Sequence, residues 1–175
     1  MRQVLRFRPP IIHAEAMIRP QIKKQLPEKH MSDYIIRTGD TVEINIGAPG
    51  EVTIPAIVNP LPLSGTSSKF EVEDQSVCLQ GDEEPEAIKV PVDYFSIQFP
   101  EPGNGTIELT LESNNTTSKT ECEGMSILIK GGQFRAKFTV EVPATNPAAS
   151  TSDVEGRIIS GSAKFGTTNK TTKAG

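Results

Sequence analysis

The stretch FRAKFTVEV, residues 134–142, places Phe134, Ala136, Phe138, Val140 and Val142 on one face and Arg135, Lys137, Thr139 and Glu141 on the other. A period of two is that of a half-buried strand, since a helix would return to the same face only every three or four residues. Working outward, TIELTLE at 106–112 repeats the pattern with Ile107, Leu109 and Leu111, and TVEINI at 41–46 does so with Val42, Ile44 and Ile46. Further strand segments are expected at Val52–Val58, Lys69–Val72, Val77–Leu79, Ile88–Val92 and Phe95–Phe99, each bounded by Pro, Gly, Asn or Asp. Ser126–Ile129 reads as a strand that turns at Gly131 and Gly132 into the stretch from Phe134, making a hairpin. Order lapses after Pro143, resumes at Arg157–Ile159 and Ser162–Phe165, and ends in a frayed Thr167–Gly175. Fourteen glycines and fourteen prolines spread along 175 residues also favour short elements and frequent turns. The expected fold class is all-β, a small layered β-hairpin domain with pseudo-repeats.

Self-comparison yields those pseudo-repeats. SKFEVEDQSVCLQGD from Ser68 aligns without gaps on SKTECEGMSILIKGG from Ser118, sharing Ser, Lys, two Glu, Ser and Gly. A third echo is read in SGSAKF from Ser160, which resembles SGTSSKF from Ser64. The shared logic is a strand, a polar turn, an apolar strand and a glycine exit.

Residues 1–30 differ from everything after them. They carry seven Lys or Arg against Glu15 and Glu28, whereas the remainder carries 11 basic and 20 acidic residues. Four prolines (Pro9, Pro10, Pro20, Pro27) interrupt any helix there. The segment is read as a basic, poorly ordered leader, with a suspected true start at Met31 and a docking arm as the alternative. Residues 31–175 form a single β-rich domain, and its acidic balance argues against nucleic acid as a partner. Neither a membrane-spanning run nor a secretory signal is found, which places the protein in the cytoplasm when made.

Enzymatic chemistry lacks its usual groups. His13 and His30 are the only histidines and both precede Met31, so the domain has no imidazole for nucleophile activation, acid–base work or a His-based zinc site. No phosphate-loop or nucleophile-elbow motif occurs. Asp82, Glu83, Glu84 and Glu86 offer paired carboxylates, but beside Pro85 they read as a solvated turn, and the chain has no Trp to line a sugar cleft. Cys78 and Cys122 read as small buried hydrophobes. No catalytic, cofactor-binding or metal-ligating residue is assigned, no cofactor is expected, and the protein is read as not an enzyme.

Three stretches resemble the small PAAR-like proteins encoded with phage-tail-derived contractile injection systems: SDYIIRTGDTV at Ser32, VCLQGDE at Val77 and SKTECEGMSILIKGGQFRAKFTVEVPATNP at Ser118. The matching positions are Asp33, Tyr34, Ile35, Ile36, Gly39 and Asp40, then Cys78, Gly81, Asp82 and Glu83, then Lys119, Thr120, Gly124, Leu128, Lys130, Gly131, Phe134, Ala136 and Phe138. The chain departs from PAAR domains proper in lacking a Pro-Ala-Ala-Arg run and the His and Cys set that holds zinc near the apex. The resemblance adds a conical shape to the expected β domain, implying a monomeric cone that caps and sharpens a trimeric spike, one chain per trimer, within an assembled injection particle. It also implies that the target membrane is contacted only on firing. The segments expected to dock on the spike are Ser68 to Gly81, Ser118 to Gly131 and, on the third echo, Ser160 to Phe165. The rival reading is a β-sandwich binding or adhesion module of a tail fibre or surface structure, and an acid-only hydrolase ranks third.

Overall fold

A computed structural model describes residues 32–175. The leader expected over residues 1–30 lies outside the described residues, as does Met31. In chain order the strands are β1 (Asp33–Tyr34), β2 (Thr41–Ile46), β3 (Leu61–Pro62), β4 (Glu71–Val72), β5 (Gln75–Ser76), β6 (Val92–Tyr94) and β7 (Gly103–Thr110). They continue with β8 (Thr116–Cys122), β9 (Met125–Leu128), β10 (Phe134–Val142), β11 (Thr145–Asn146), β12 (Thr151–Ser152), β13 (Ile158–Gly166) and β14 (Lys173–Ala174). The expected all-β class is what the chain adopts.

Six strands form one antiparallel sheet in the order β3-β2-β13-β10-β7-β6. Beyond β6, Phe95 and Thr53 exchange backbone hydrogen bonds of 2.8 and 3.0 Å, which draws the chain after β2 across to the opposite edge. The sheet therefore curls into a half-barrel around its own core. The alternation read from the sequence decides its faces. Phe134, Ala136, Phe138 and Val140 of β10 meet Ile107 and Leu109 of β7, Val42, Ile44 and Ile46 of β2, and Ile159, Ala163 and Phe165 of β13 inside. Outside, opposite charges face each other across the ladders, Lys137 to Glu108 at 2.6 Å and Lys164 to Glu43 at 3.0 Å. Such exposed pairs add little stability, but they keep this face polar and wetted.

At the end of the half-barrel remote from Gly39 and Gly131, loops are tied by a buried phenol. Tyr94 is fully buried, donates to Asp153 Oδ2 at 2.9 Å and accepts the Ala144 amide at 3.0 Å. Its ring meets Phe138 edge-on at 5.1 Å. Arg157 bridges Asp153 at 3.2 Å and Glu51 at 2.6 Å, so three loops share one network.

Several expected strands fall elsewhere. Val52–Val58 keeps only the bridge at Thr53 and then forms a 3-10 turn at Pro55–Ile57, where proline supplies the fixed φ and removes a ladder donor. Ile88–Val92 is divided by a second such turn, Glu86–Ile88, so that only Val92 enters β6. Phe95–Phe99 leaves the sheet after Phe95, because Ser96 donates its amide to Phe99 O and accepts the Phe99 amide on Oγ, and Ile97 ends 93% exposed. The hairpin expected at Gly131 does not form. β9 pairs with β8, and β10 pairs with β7 and β13. The two short pieces at Arg157–Ile159 and Ser162–Phe165 are one strand, β13.

Candidate functional site

Three extended segments, Tyr34–Asp40, Ser76–Asp82 and Ser126–Gly132, meet at the end of the half-barrel from which β2 and β10 depart. Their sequences are YIIRTGD, SVCLQGD and SILIKGG. Ile36 N–H donates to Leu128 O at 3.0 Å, Leu128 N–H to Cys78 O at 2.9 Å, and Cys78 N–H to Ile36 O at 3.0 Å, closing a ring of three hydrogen bonds. One step outward a second cycle of three runs in the opposite donor sense. Thr38 donates to Ser76 O, Gln80 to Ser126 O, and Lys130 to Tyr34 O, at 2.8 to 2.9 Å. The antiparallel bridges follow the same threefold exchange of segments, as Ile35 faces Ile129, Val77 faces Arg37 and Ile127 faces Leu79. This is a backbone triangle with pseudo-threefold symmetry, built by one chain.

Each segment leaves the triangle through a glycine in left-handed conformation: Gly39 at φ 88°, Gly81 at φ 109° and Gly131 at φ 53°. A side chain at those angles would be strained, which is why the sequence places glycine there three times. Where Asp follows the glycine, its carboxylate caps the turn. Asp40 accepts the Arg37 amide at 3.0 Å and Asp82 the Leu79 amide at 2.8 Å. The Ser126–Gly132 segment has Gly132 in that place, and Ile129 donates to Asn115 O.

Each segment also carries a partner strand, making three blades. β4 returns on β5 through Glu73 and Asp74, and β8 on β9 through Glu123 and Gly124, all four at positive φ as a two-residue type I′ turn requires. In the remaining blade β1 pairs with β14 in the same register: Asp33 faces Ala174 as Gln75 faces Val72 and Met125 faces Cys122. The equivalence continues in side chains. Ser67 Oγ accepts the Phe70 amide at 3.0 Å and Asn169 Oδ1 the Thr172 amide at 3.0 Å, while Thr117 Oγ1 bonds to Thr120 O.

The third copy of the repeat is thus Thr168–Gly175 joined in space to Ser32–Asp40. Ser160–Phe165, read from the sequence as the third echo, lies inside β13 with a strand on either side, and its likeness to Ser64–Phe70 has no structural counterpart. Nor is Thr167–Gly175 frayed. Asn169 is buried, Thr167 and Thr168 hydrogen-bond to buried Asp40, and Arg37 reaches Thr168 Oγ1 at 3.2 Å and Glu73 at 2.6 Å. Of the segments singled out for docking, the structure brings together Ser68–Gly81 and Ser118–Gly131. The signal missed was the heptapeptide from Tyr34, whose apolar pair Ile35–Ile36 and spacing of five residues from its first position to glycine match the other two, with Arg37 where they carry Leu79 and Ile129.

Alternation within the triangle separates two cores. Ile36, Cys78 and Leu128 point into the half-barrel, while Ile35, Val77, Leu79, Ile127 and Ile129 point the other way into a second cluster closed by Val72, Phe70, Cys122 and Ala174. The two cysteines are free and belong to different clusters; burial pushes the Cys78 thiol well up. Cys122 sits 3.4 Å from Ser67 Oγ. The acids near Pro85 bond within turns and across to neighbouring segments: Asp82 also accepts Thr66 N–H and Oγ1, Glu83 accepts the Gly81 amide, Glu84 accepts the Leu109 amide at 3.4 Å, and Glu86 pairs with Lys89. Among the described residues no three His, Cys, Asp or Glu side chains gather as metal ligands would.

A triangular, hydrogen-bonded end on a single chain is a shape suited to meeting a threefold object. A family model described as contractile injection system spike tip protein matches residues 31–175. The chain belongs to that family. A search of curated proteins finds no match. Spike-tip membership associates the chain with the spike of a contractile injection system and is consistent with a structural role. It also gives the pseudo-threefold end of this spike tip its context.

Proposed function

We propose that this spike tip caps the trimeric central spike of the injection apparatus through its pseudo-threefold end, one chain per trimer, and sharpens the spike for puncture of a target envelope. The observation that carries the reading is the cyclic set of hydrogen bonds linking Ile36, Leu128 and Cys78. A homotrimer ends in three identical surfaces, and one asymmetric chain can satisfy all three only by presenting its own backbone three times. The opposite end, with the Tyr94–Asp153–Arg157 network, then points away from the spike; its buried polar groups are paired, which rigidifies the loops. On this reading the role is mechanical and non-enzymatic, and the threefold arrangement of the backbone shares axial thrust among three spike chains alike. PAAR-like placement in the baseplate region and residence in the assembled particle belong to the same proposal, with the target membrane met only on firing. Co-purification with the cognate spike and native mass measurement tests it. One chain per trimer is expected, and a three-to-three complex, a homotrimer of this chain alone, or no complex would overturn it.

A further inference from the structure

The three blades share a backbone but not a surface. Glu71, Glu121 and Lys173 occupy one equivalent position, as do Gln75, Met125 and Asp33, and Val72, Cys122 and Ala174. A homotrimer presents the same side chain to each blade, and no single residue is complementary to Glu in two blades and Lys in the third. What the blades do offer in common is main chain. Val77 donates to Phe70 O at 3.1 Å and Ile35 to Thr172 O at 3.2 Å, so these are hydrogen-bonded pairs of their ladders. Pairing alternates along an antiparallel ladder, so the next residues, Glu71 and Lys173, turn their N–H and C=O away from the partner strand. Glu121, one residue before the Cys122–Met125 pair that flanks the type I′ turn, does the same. All three residues are exposed.

The blades are also splinted so that these edges stand at fixed places. Glu123 at one tip accepts hydrogen bonds from Ser68 of the neighbouring blade, and Glu73 accepts from Thr171 of the next. In the third pair of blades, the place equivalent to Glu73 and Glu123 is held by Gly175.

We infer that the spike tip is held by strand addition: each spike chain pairs its terminal backbone with the outward main-chain groups of one blade, at Glu71, Glu121 and Lys173. An unpaired edge is an open template for another strand, and main-chain pairing is indifferent to the side-chain differences among the blades. The inference rests on the capping reading above and names its bonds.

Hydrogen exchange on the unmodified chain, alone and bound to its spike, tests it. The Glu71, Glu121 and Lys173 amides should each slow by more than about tenfold on binding. A complex that forms without protecting these amides overturns strand addition and leaves capping intact, whereas failure of any complex to form overturns capping itself. A second test separates backbone from side chain. Proline is tolerated at a non-hydrogen-bonded edge position and removes the outward N–H, so Glu71→Pro with Glu121→Pro and Lys173→Pro should abolish binding while melting shows a folded protein. The charge exchange Glu71→Lys, Glu121→Lys and Lys173→Glu should leave affinity within about threefold. Binding lost on charge exchange and kept in the folded proline variant would overturn the inference.

Discussion

Asn169→Ala removes the side chain that fastens the last residues to the triangle. Asn169 is 1% exposed. Its amide nitrogen donates to Ile35 O at 3.0 Å and Thr172 O at 2.8 Å, and its oxygen accepts the Thr171 and Thr172 amides, each at 3.0 Å. Thr172 O retains the Ile35 amide at 3.2 Å, so the losses that matter are two amides and the Ile35 carbonyl. A buried polar group left without a partner costs about 1–3 kcal/mol, and relaxation at this edge blade keeps the sum near the low end, about 3 kcal/mol. That is a large share of the roughly 5–15 kcal/mol that holds a domain folded. With a urea slope of about 2 kcal/mol/M the midpoint should fall by roughly 1.5 M with the slope unchanged. The exposed neighbour is the control, and Lys170→Ala should stay within about 0.5 kcal/mol. An Asn169→Ala midpoint indistinguishable from that of Lys170→Ala would refute the claim that Thr168–Gly175 is a built blade.

Joining Gly175 directly to Ser32, with the chain opened in the exposed Ala148–Ala149 turn, should give a folded protein. The two joined residues fall where Glu73–Asp74 and Glu123–Gly124 form two-residue turns, and collapse of this permutant under conditions where an uncircularised chain nicked at the same turn folds would count against the split blade. Tyr94→Phe should cost about 1–3 kcal/mol by orphaning the Ala144 amide, measured by thermal or urea unfolding. Burial raises the Tyr94 pKa above the ordinary phenol value, so its stabilisation is whole below about pH 10 and is lost as pH rises through and above that range; the alkaline limb should flatten in Tyr94→Phe, and an unchanged limb would refute the assignment. Residues 32–175 alone should melt within about 2 °C of the full chain, a difference of roughly 0.6 kcal/mol, because the described residues by themselves supply two packed clusters. A large drop would show that the first 31 residues add packing to the domain.

The half-barrel was legible because its information is local. In 134–142, 106–112 and 41–46 each residue's side is decided by its neighbours two positions away, and burying one face of an alternating strand needs no knowledge of the partner. The Ser68 and Ser118 repeats were legible for the same reason, since each folds on itself through its own turn. At Val52–Val58 and Ile88–Val92 apolar content favours strands, but Pro55 opens one 3-10 turn and Pro85 immediately precedes the other. What only the tertiary structure decided is the third blade. Its two halves, Thr168–Gly175 and Ser32–Asp40, stand at opposite ends of the domain's sequence, so no gap-free self-alignment joins them, and a six-residue likeness at Ser160 took their place. Those halves are brought together by long-range pairing, by Asp40 with Thr167 and Thr168, and by Asn169 with Ile35. A strand's alternation is written in its own residues, whereas a symmetry axis exists only once three separate backbones have closed around it.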